Sequence, residues 1–311
     1  MLLEIKNLSF SYEEDKPIFK NLNLSFDKGR IIALAGESGC GKSTLLSLIY
    51  GLYDWQEGEI FLEGKPLWGP KGNLVPGELE MKFVAQDYDL MPYATVADNV
   101  GKFISNIDLN YKRERVNELL RVVGMEEFTN VKPKFLSGGQ QQRVAIARAL
   151  SVPQKLILLD EPFSNLDYPR KVELRENLFE YAQKEEISML ISTHEIEEIM
   201  PWLDEIIILK QGKIVQHDIP EIVYQQPVNE YVAKLFGEVN IFSEEERNRL
   251  GISKNMYYPS ELRVIEKGGW EAEVLESRFS GSFYRSKLSL IGKKLIIYTS
   301  HELVGSVNIS F

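Results

Sequence analysis

The chain has one cysteine and three histidines in 311 residues, and no apolar run that approaches eighteen residues. A lone cysteine cannot form an internal disulfide, so the chain is compatible with a reducing compartment. Without a long apolar run, no membrane-spanning helix is expected. The opening Met1-Leu-Leu-Glu-Ile-Lys-Asn7 has no basic stretch followed by a long apolar core, so no signal peptide is expected. Excess basic charge is also missing. There are 36 Lys and Arg against 46 Asp and Glu, a net charge of −10 with pI ≈ 5.1, and that balance disfavours a nucleic-acid binder. The remaining composition, 44% hydrophobic and 26% charged, is that of a globular protein. The length suits two domains better than one.

Two segments carry most of the information. Residues 36–43, Gly-Glu-Ser-Gly-Cys-Gly-Lys-Ser, match the phosphate-loop spacing GxxxxGK[ST]. The apolar run Arg30–Ala35 before them reads as a buried parallel strand, and Lys42-Ser-Thr-Leu-Leu-Ser-Leu-Ile49 after them reads as a helix. Glycine at Gly39 and Gly41 lets backbone N–H groups turn inward toward an anion, and the helix N-terminus adds partial positive charge. Lys42 is placed to reach the β- and γ-phosphates of ATP, and the Ser43 hydroxyl to bind Mg²⁺. Gly36, Glu37, Ser38, Cys40 and Thr44 complete the expected nucleotide contacts. Cys40 occupies a free position of the motif, so a bland neighbour of the site is expected rather than a redox centre.

The second segment is Leu136-Ser-Gly-Gly-Gln140, where Ser137, Gly138 and Gly139 open a helix expected over Gln140–Leu150. Its N-terminus is another anion site. Just beyond lies Lys155-Leu-Ile-Leu-Leu-Asp-Glu161, an apolar strand that delivers two acids to the carboxyl edge of a sheet, where open α/β sheets bind ligands. Asp160 is expected to hold the Mg²⁺ shell through water, and Glu161 to polarise an attacking water as general base.

This ordered set resembles the ATP-binding subunits of ABC (ATP-binding cassette) transporters, over roughly residues 1–238. The resemblance implies further roles. Tyr12 stands where the family stacks an aromatic on adenine. Gln86, in Phe83-Val-Ala-Gln-Asp87, matches the glutamine that touches metal and water and faces the membrane partner. Asp167, in Ser164-Asn-Leu-Asp167, matches the loop that crosses the dimer interface. His194, in Ser192-Thr-His-Glu195, matches the γ-phosphate contact. It also implies a head-to-tail homodimer, in which Ser137, Gly138, Gly139, Gln140 and Asp167 meet the nucleotide on the partner's phosphate loop. Binding would close the pair and hydrolysis reopen it.

Elsewhere, helical periodicity over 96–128 (Val116, Leu119, Leu120, Val123) matches the lobe that leans on a permease in the family, and Asp87–Tyr93 is expected to feel that partner. Apolar Ile187–Ser192 brings His194 to the same sheet edge, and residues 204–215 read as a hairpin turning at Gln211-Gly212. The pattern changes near residue 238. Short alternating strands (Glu271–Glu276, Phe283–Leu290, Lys294–Thr299, Ser306–Phe311) with turns at Gly281, Gly292 and Gly305 suggest a small β-barrel of the OB type. This resembles the TOBE region of importer ATPases for polyamines, ferric iron, oxyanions and sugars, although Tyr258-Pro-Ser-Glu-Leu262 lacks the arginine usual at its entry. Ser280-Gly-Ser282 and Arg285 fit either an oxyanion contact or a turn with a surface charge.

The expected fold is therefore α/β: a phosphate-loop ABC ATPase cassette with a helical lobe (1–238), plus a small all-β OB-like domain (239–311). The resemblance implies the ATP-hydrolysing subunit of an importer, peripheral on the cytoplasmic face of the cell membrane, with separate permease subunits and a solute-binding protein. Two alternatives stay open: an export or lipoprotein-release ATPase, and a soluble ABC ATPase acting on nucleic acid or ribosomes. The latter relatives usually carry coiled-coil or zinc insertions or a second cassette, and with Lys42 and Ser137 only about 95 residues apart no such insertion fits.

Overall fold

The computed structural model describes residues 1–311, which divide into two compact units, Met1–Val223 and Tyr224–Phe311. The first opens with antiparallel strands β1 (Leu3–Ser11) and β2 (Pro17–Phe26), then β3 (Ile31–Ala35), α1 (Lys42–Ile49), β4 (Glu57–Leu62), β5 (Lys65–Pro66) and β6 (Met81–Val84). A helical section follows, α2 (Val96–Val100), α3 (Leu109–Val122) and α4 (Gly138–Ala149). The chain then returns through β7 (Leu156–Asp160), α5 (Tyr168–Lys184), β8 (Ser188–Thr193), α6 (Ile196–Ile199), β9 (Glu205–Lys210) and β10 (Lys213–Asp218).

These strands form two sheets. One is antiparallel, in the order β2-β1-β4-β5; the other runs β10-β9-β3-β8-β7-β6, parallel except for the β9–β10 pair. Every residue of β3, β7 and β8 is buried. Such strands are covered on both faces, which is why they read as continuous apolar runs rather than alternating ones. One apolar core joins the two sheets around α1, with Phe19, Leu34, Leu46, Leu158 and Leu190 among its buried members.

The helical section is less continuous than its periodicity suggests. Chain 101–108 leaves the helix after α2, and α3 restarts under Asp108, whose carboxylate accepts from Asn110 and Tyr111 N–H at 3.0 and 2.9 Å. Such a cap is worth about 1 kcal/mol. Val116, Leu119, Leu120 and Val123 are buried, as the period required. Helix α4 begins at Gly138, two residues earlier than expected, because Ser137 and Gln140 form a reciprocal capping box.

Helix α7 (Pro220–Gln225) spans the division between the units. The second unit contains α8 (Glu230–Lys234), β11 (Asn240–Ile241), α9 (Glu244–Leu250), β12 (Met256–Tyr257), β13 (Arg263–Ile265), β14 (Trp270–Phe279), β15 (Tyr284–Leu290), β16 (Lys293–Thr299) and β17 (Ser306–Ser310). Its five-stranded antiparallel sheet runs β13-β17-β14-β15-β16, with Leu288, Leu295, Ile297 and Ile309 in the core. The edge strands β13 and β16 do not pair, so the sheet is left open between them. Residues 224–238, expected with the cassette, group with this unit instead. Tyr224 stacks on Tyr258 at 4.4 Å, the Tyr258 hydroxyl donates to Ala233 O at 3.3 Å, and Glu238 accepts from Arg285 Nε (2.7 Å) and Tyr298 Oη (3.0 Å).

Candidate functional site

Strand register assembles the site. Ala35 at the end of β3 lies beside Thr193 of β8, Asp160 at the end of β7 lies beside Ser192, and Val84 of β6 lies beside Leu159. The segments after β3, β6, β7 and β8 therefore emerge at one edge, bringing together the phosphate loop, Gln86, Asp160, Glu161 and His194.

The loop between β3 and α1 takes positive φ at Gly36 (151°), Gly39 (79°) and Gly41 (111°). Gly41 is the N-cap of α1 and offers no side-chain cap, so the first N–H groups of the helix are left for a ligand. A Cβ on Gly41 would also come within 2.9 Å of Phe19 Cζ. Lys42 is buried, and its ammonium donates to the neutral carbonyls of Gly36 (2.7 Å) and Glu37 (3.1 Å). Cys40 is buried in the core, its carbonyl accepts from Gly212 N–H, and burial pushes its thiol above the usual pKa. Glu37, Ser38 and Gly39 lie exposed along the same loop. Tyr12 is exposed, shares a hydrogen bond with Thr44 Oγ1 (3.2 Å) and meets Phe10 and Tyr53 edge-on.

Across the loop, Asp160 Oδ1 accepts from Ser43 Oγ at 3.0 Å and from Ser192 Oγ at 2.5 Å. Glu161 sits at φ 48°, a left-handed conformation costing about 1–2 kcal/mol for a residue with a side chain. Its N–H donates to Ser192 Oγ (2.9 Å), and its carbonyl accepts from Gln142 Nε2 (3.0 Å) and Ser164 Oγ (3.0 Å). Its carboxylate lies 3.3 Å from His194 Nδ1. Gln86 is exposed in the turn after β6. The two residues Tyr88 and Asp89 are both left-handed, and Arg148 of α4 clamps them by donating to their carbonyls at 2.8 and 2.5 Å. Asn165 Nδ2 donates to Tyr88 Oη at 2.8 Å. Between this clamp and β6 lies a cleft of about 310 Å³, lined by Tyr50, Lys82, Phe83, Asp87, Phe103 and Arg148.

Ser137, Gly138, Gly139 and Gln140 begin α4, and Asp167 is the N-cap of α5. They lie together at the N-termini of α4 and α5, with Gly139 against Asn165 O and Gly138 open to solvent. Three contributors escaped the sequence reading: Ser192, Gln142 and Arg148. The only trace of Ser192 is a polar residue near the end of an apolar buried run, and Gln142, set among Gln140, Gln141 and Arg143, left no such signal.

The fold and the site define a phosphate-loop nucleotide-binding cassette: an N–H cradle, a buried lysine, and a hydroxyl and two acids at the carboxyl edge of one sheet. Residues 19–164 match the family model "ABC transporter". The chain is similar to spermidine/putrescine import ATP-binding proteins PotA. That of Pasteurella multocida is 39% identical over 245 residues, 78% of this chain and 65% of that protein. That of Clostridioides difficile is 34% identical over 329 residues, 98% of this chain and 93% of that protein. That of Thermotoga maritima is 38% identical over 309 residues, 97% and 77%. The chain thus spans about two thirds of the length of some relatives. Among solved structures, a dimeric ATP-binding cassette in a post-hydrolysis state bound to ADP and Pi superposes with TM-score 0.61 at 29% identity, covering 70% of this chain and 99% of that one. The chain belongs to the ABC transporter family, on the side of its ATP-binding subunits.

Proposed function

We propose that the chain is the ATP-hydrolysing subunit of an importer, working as a head-to-tail homodimer on separate membrane permease subunits, with a solute-binding protein supplying the solute. The observation that carries this reading is the convergence of Lys42, Ser43, Asp160, Glu161 and His194 at one sheet edge. Lys42 and the loop N–H groups hold the phosphates of ATP, and Tyr12 faces the adenine. Glu161 accepts a proton from the attacking water, while His194 is the γ-phosphate contact. The oxygen donors of Ser43, Asp160 and Gln86 suit Mg²⁺, a hard cation that takes one or two protein ligands beside phosphate and water. When bound there, Mg²⁺ would neutralise phosphate charge.

A single chain leaves Ser137, Gly138, Gly139, Gln140 and Asp167 with no nucleotide of their own. In the proposed dimer they cap the partner's, and Gly138, with open space at its Cβ position, is free to face it. The cleft beside Tyr88 and Arg148 follows Gln86 directly and is the surface proposed for the permease. No helix of the structure is long and apolar enough to cross a membrane, so the proposed station is peripheral, at the cytoplasmic face. The names of the relatives make spermidine and putrescine the first solutes to test, and residues 239–311, within the second unit, are proposed as a TOBE-like module of the same assembly.

The test is purification of the tagged chain from detergent-solubilised membranes, followed by Mg²⁺-ATPase assay of what is recovered. A polytopic permease and ATPase activity stimulated by a polyamine-loaded binding protein are expected. Ribosomal or DNA-repair proteins with no membrane protein would overturn the importer reading.

A further inference from the structure

Ser192 occupies the one position of β8 that pairs with Asp160, and it is completely buried. Its hydroxyl spends its hydrogen on Asp160 Oδ1 (2.5 Å) and accepts the Glu161 N–H (2.9 Å). The Ser192 carbonyl takes a second, longer bond from the same N–H at 3.2 Å. One side chain therefore bridges two consecutive acids assigned different tasks, and it does so from a neighbouring strand.

Two features give the bridge consequence. Glu161 is held in a left-handed conformation, which persists only where the surroundings over-determine it. Its carbonyl side is tied by Gln142 and Ser164, and its amide side only by Ser192. Asp160 in turn receives two side-chain hydroxyls, from Ser43 and Ser192. Ser43 is the hydroxyl assigned to the metal, so Ser192 is the donor that stays on Asp160 when Ser43 turns away. Alanine at this position keeps the backbone pairing of β8 with β7 and removes both bonds of the hydroxyl.

We propose that Ser192 is a positioning residue for hydrolysis, setting the Asp160 carboxylate and the Glu161 backbone relative to each other through one hydroxyl. This rests on the ATPase reading above. The test compares S192A and S192T with the wild type in the full chain. Three quantities are read: kcat and KM for Mg²⁺-ATP, the electron paramagnetic resonance spectrum of Mn²⁺ bound with a non-hydrolysable ATP analogue, and the melting temperature. S192A should lose about 10- to 100-fold in kcat, the range for residues that orient metal ligands. Its KM should change less than about threefold, the Mn²⁺ spectrum should change, and S192T should restore most of the rate. A kcat for S192A within twofold of wild type, with an unchanged Mn²⁺ spectrum, would overturn the inference. So would equal losses in both variants that follow melting temperature, since those would mark a packing role. A wild-type chain that hydrolyses no ATP would instead sink the ATPase reading itself.

Discussion

Gln142 Nε2 donates to the Glu161 carbonyl at 3.0 Å, which fastens the helix that starts at the Ser137 cap to the residue that follows β7 and Asp160. Gln142→Leu keeps the volume and removes this bond, while the carbonyl keeps the Ser164 hydroxyl at 3.0 Å. Stability should change by about 1 kcal/mol or less. Steady-state ATPase should fall roughly three- to tenfold, the order one well-placed hydrogen bond supplies. Urea unfolding and a phosphate-release assay on one preparation separate the two effects, and full activity would show that the link carries nothing.

Glu161→Gln removes the proton acceptor but leaves the fold and the phosphate cradle. Turnover should drop about 10²- to 10⁴-fold, and the chain should elute as a dimer in ATP and as a smaller species in ADP. Normal turnover by this variant would remove Glu161 as the base.

Adjacent glycines of the signature segment should behave differently. A Cβ on Gly139 would lie 2.5 Å from Asn165 O, a backbone atom that cannot swing away, whereas Gly138 has nothing within 4 Å. Gly139→Ala should destabilise the isolated chain by about 1–3 kcal/mol. Gly138→Ala should leave its melting temperature unchanged and weaken ATP-dependent dimerisation. Equal effects of the two substitutions on the isolated chain would contradict this.

Glu63, at the β4–β5 turn, is paired with Lys28 and Lys155, and the hydrogen bonds from Lys155 and then Lys28 hold its carboxyl down at about 2, from an ordinary 4.5. A carboxylate depressed in the folded state stabilises fully above its unfolded pKa and loses that contribution as pH falls through its folded one. The window is therefore pH 4.5 to about 2. The melting-temperature gap between wild type and Glu63→Gln should be constant at neutral pH and shrink across that window. A gap independent of pH would mean the pairs contribute nothing through the charge of Glu63.

Much of the site was legible because its chemistry constrains residue type locally. The cradle needs glycine where φ is positive, as at Gly39 and Gly41, and the acids need a buried strand to carry them, as Leu156–Leu159 carries Asp160. The break in the helix at 101–108 was not legible, since apolar spacing survives a local unwinding that leaves Val116 and Leu119 inward. Nor was the grouping of residues 224–238, which depends on Tyr224 meeting Tyr258 and Glu238 meeting Arg285 far along the chain.

The sequence by itself determined the phosphate loop, the acidic strand, the signature segment and the change of pattern toward short strands, because each is a run of neighbours whose spacing has one physical use. Only the tertiary structure decided that Ser192 bridges Asp160 and Glu161, that Gln142 reaches the Glu161 carbonyl, and that Gly139 is packed while Gly138 is open. Those facts follow from parallel register and helix packing between segments about 20 to 30 residues apart, where one residue of slip reverses which side chain faces the site.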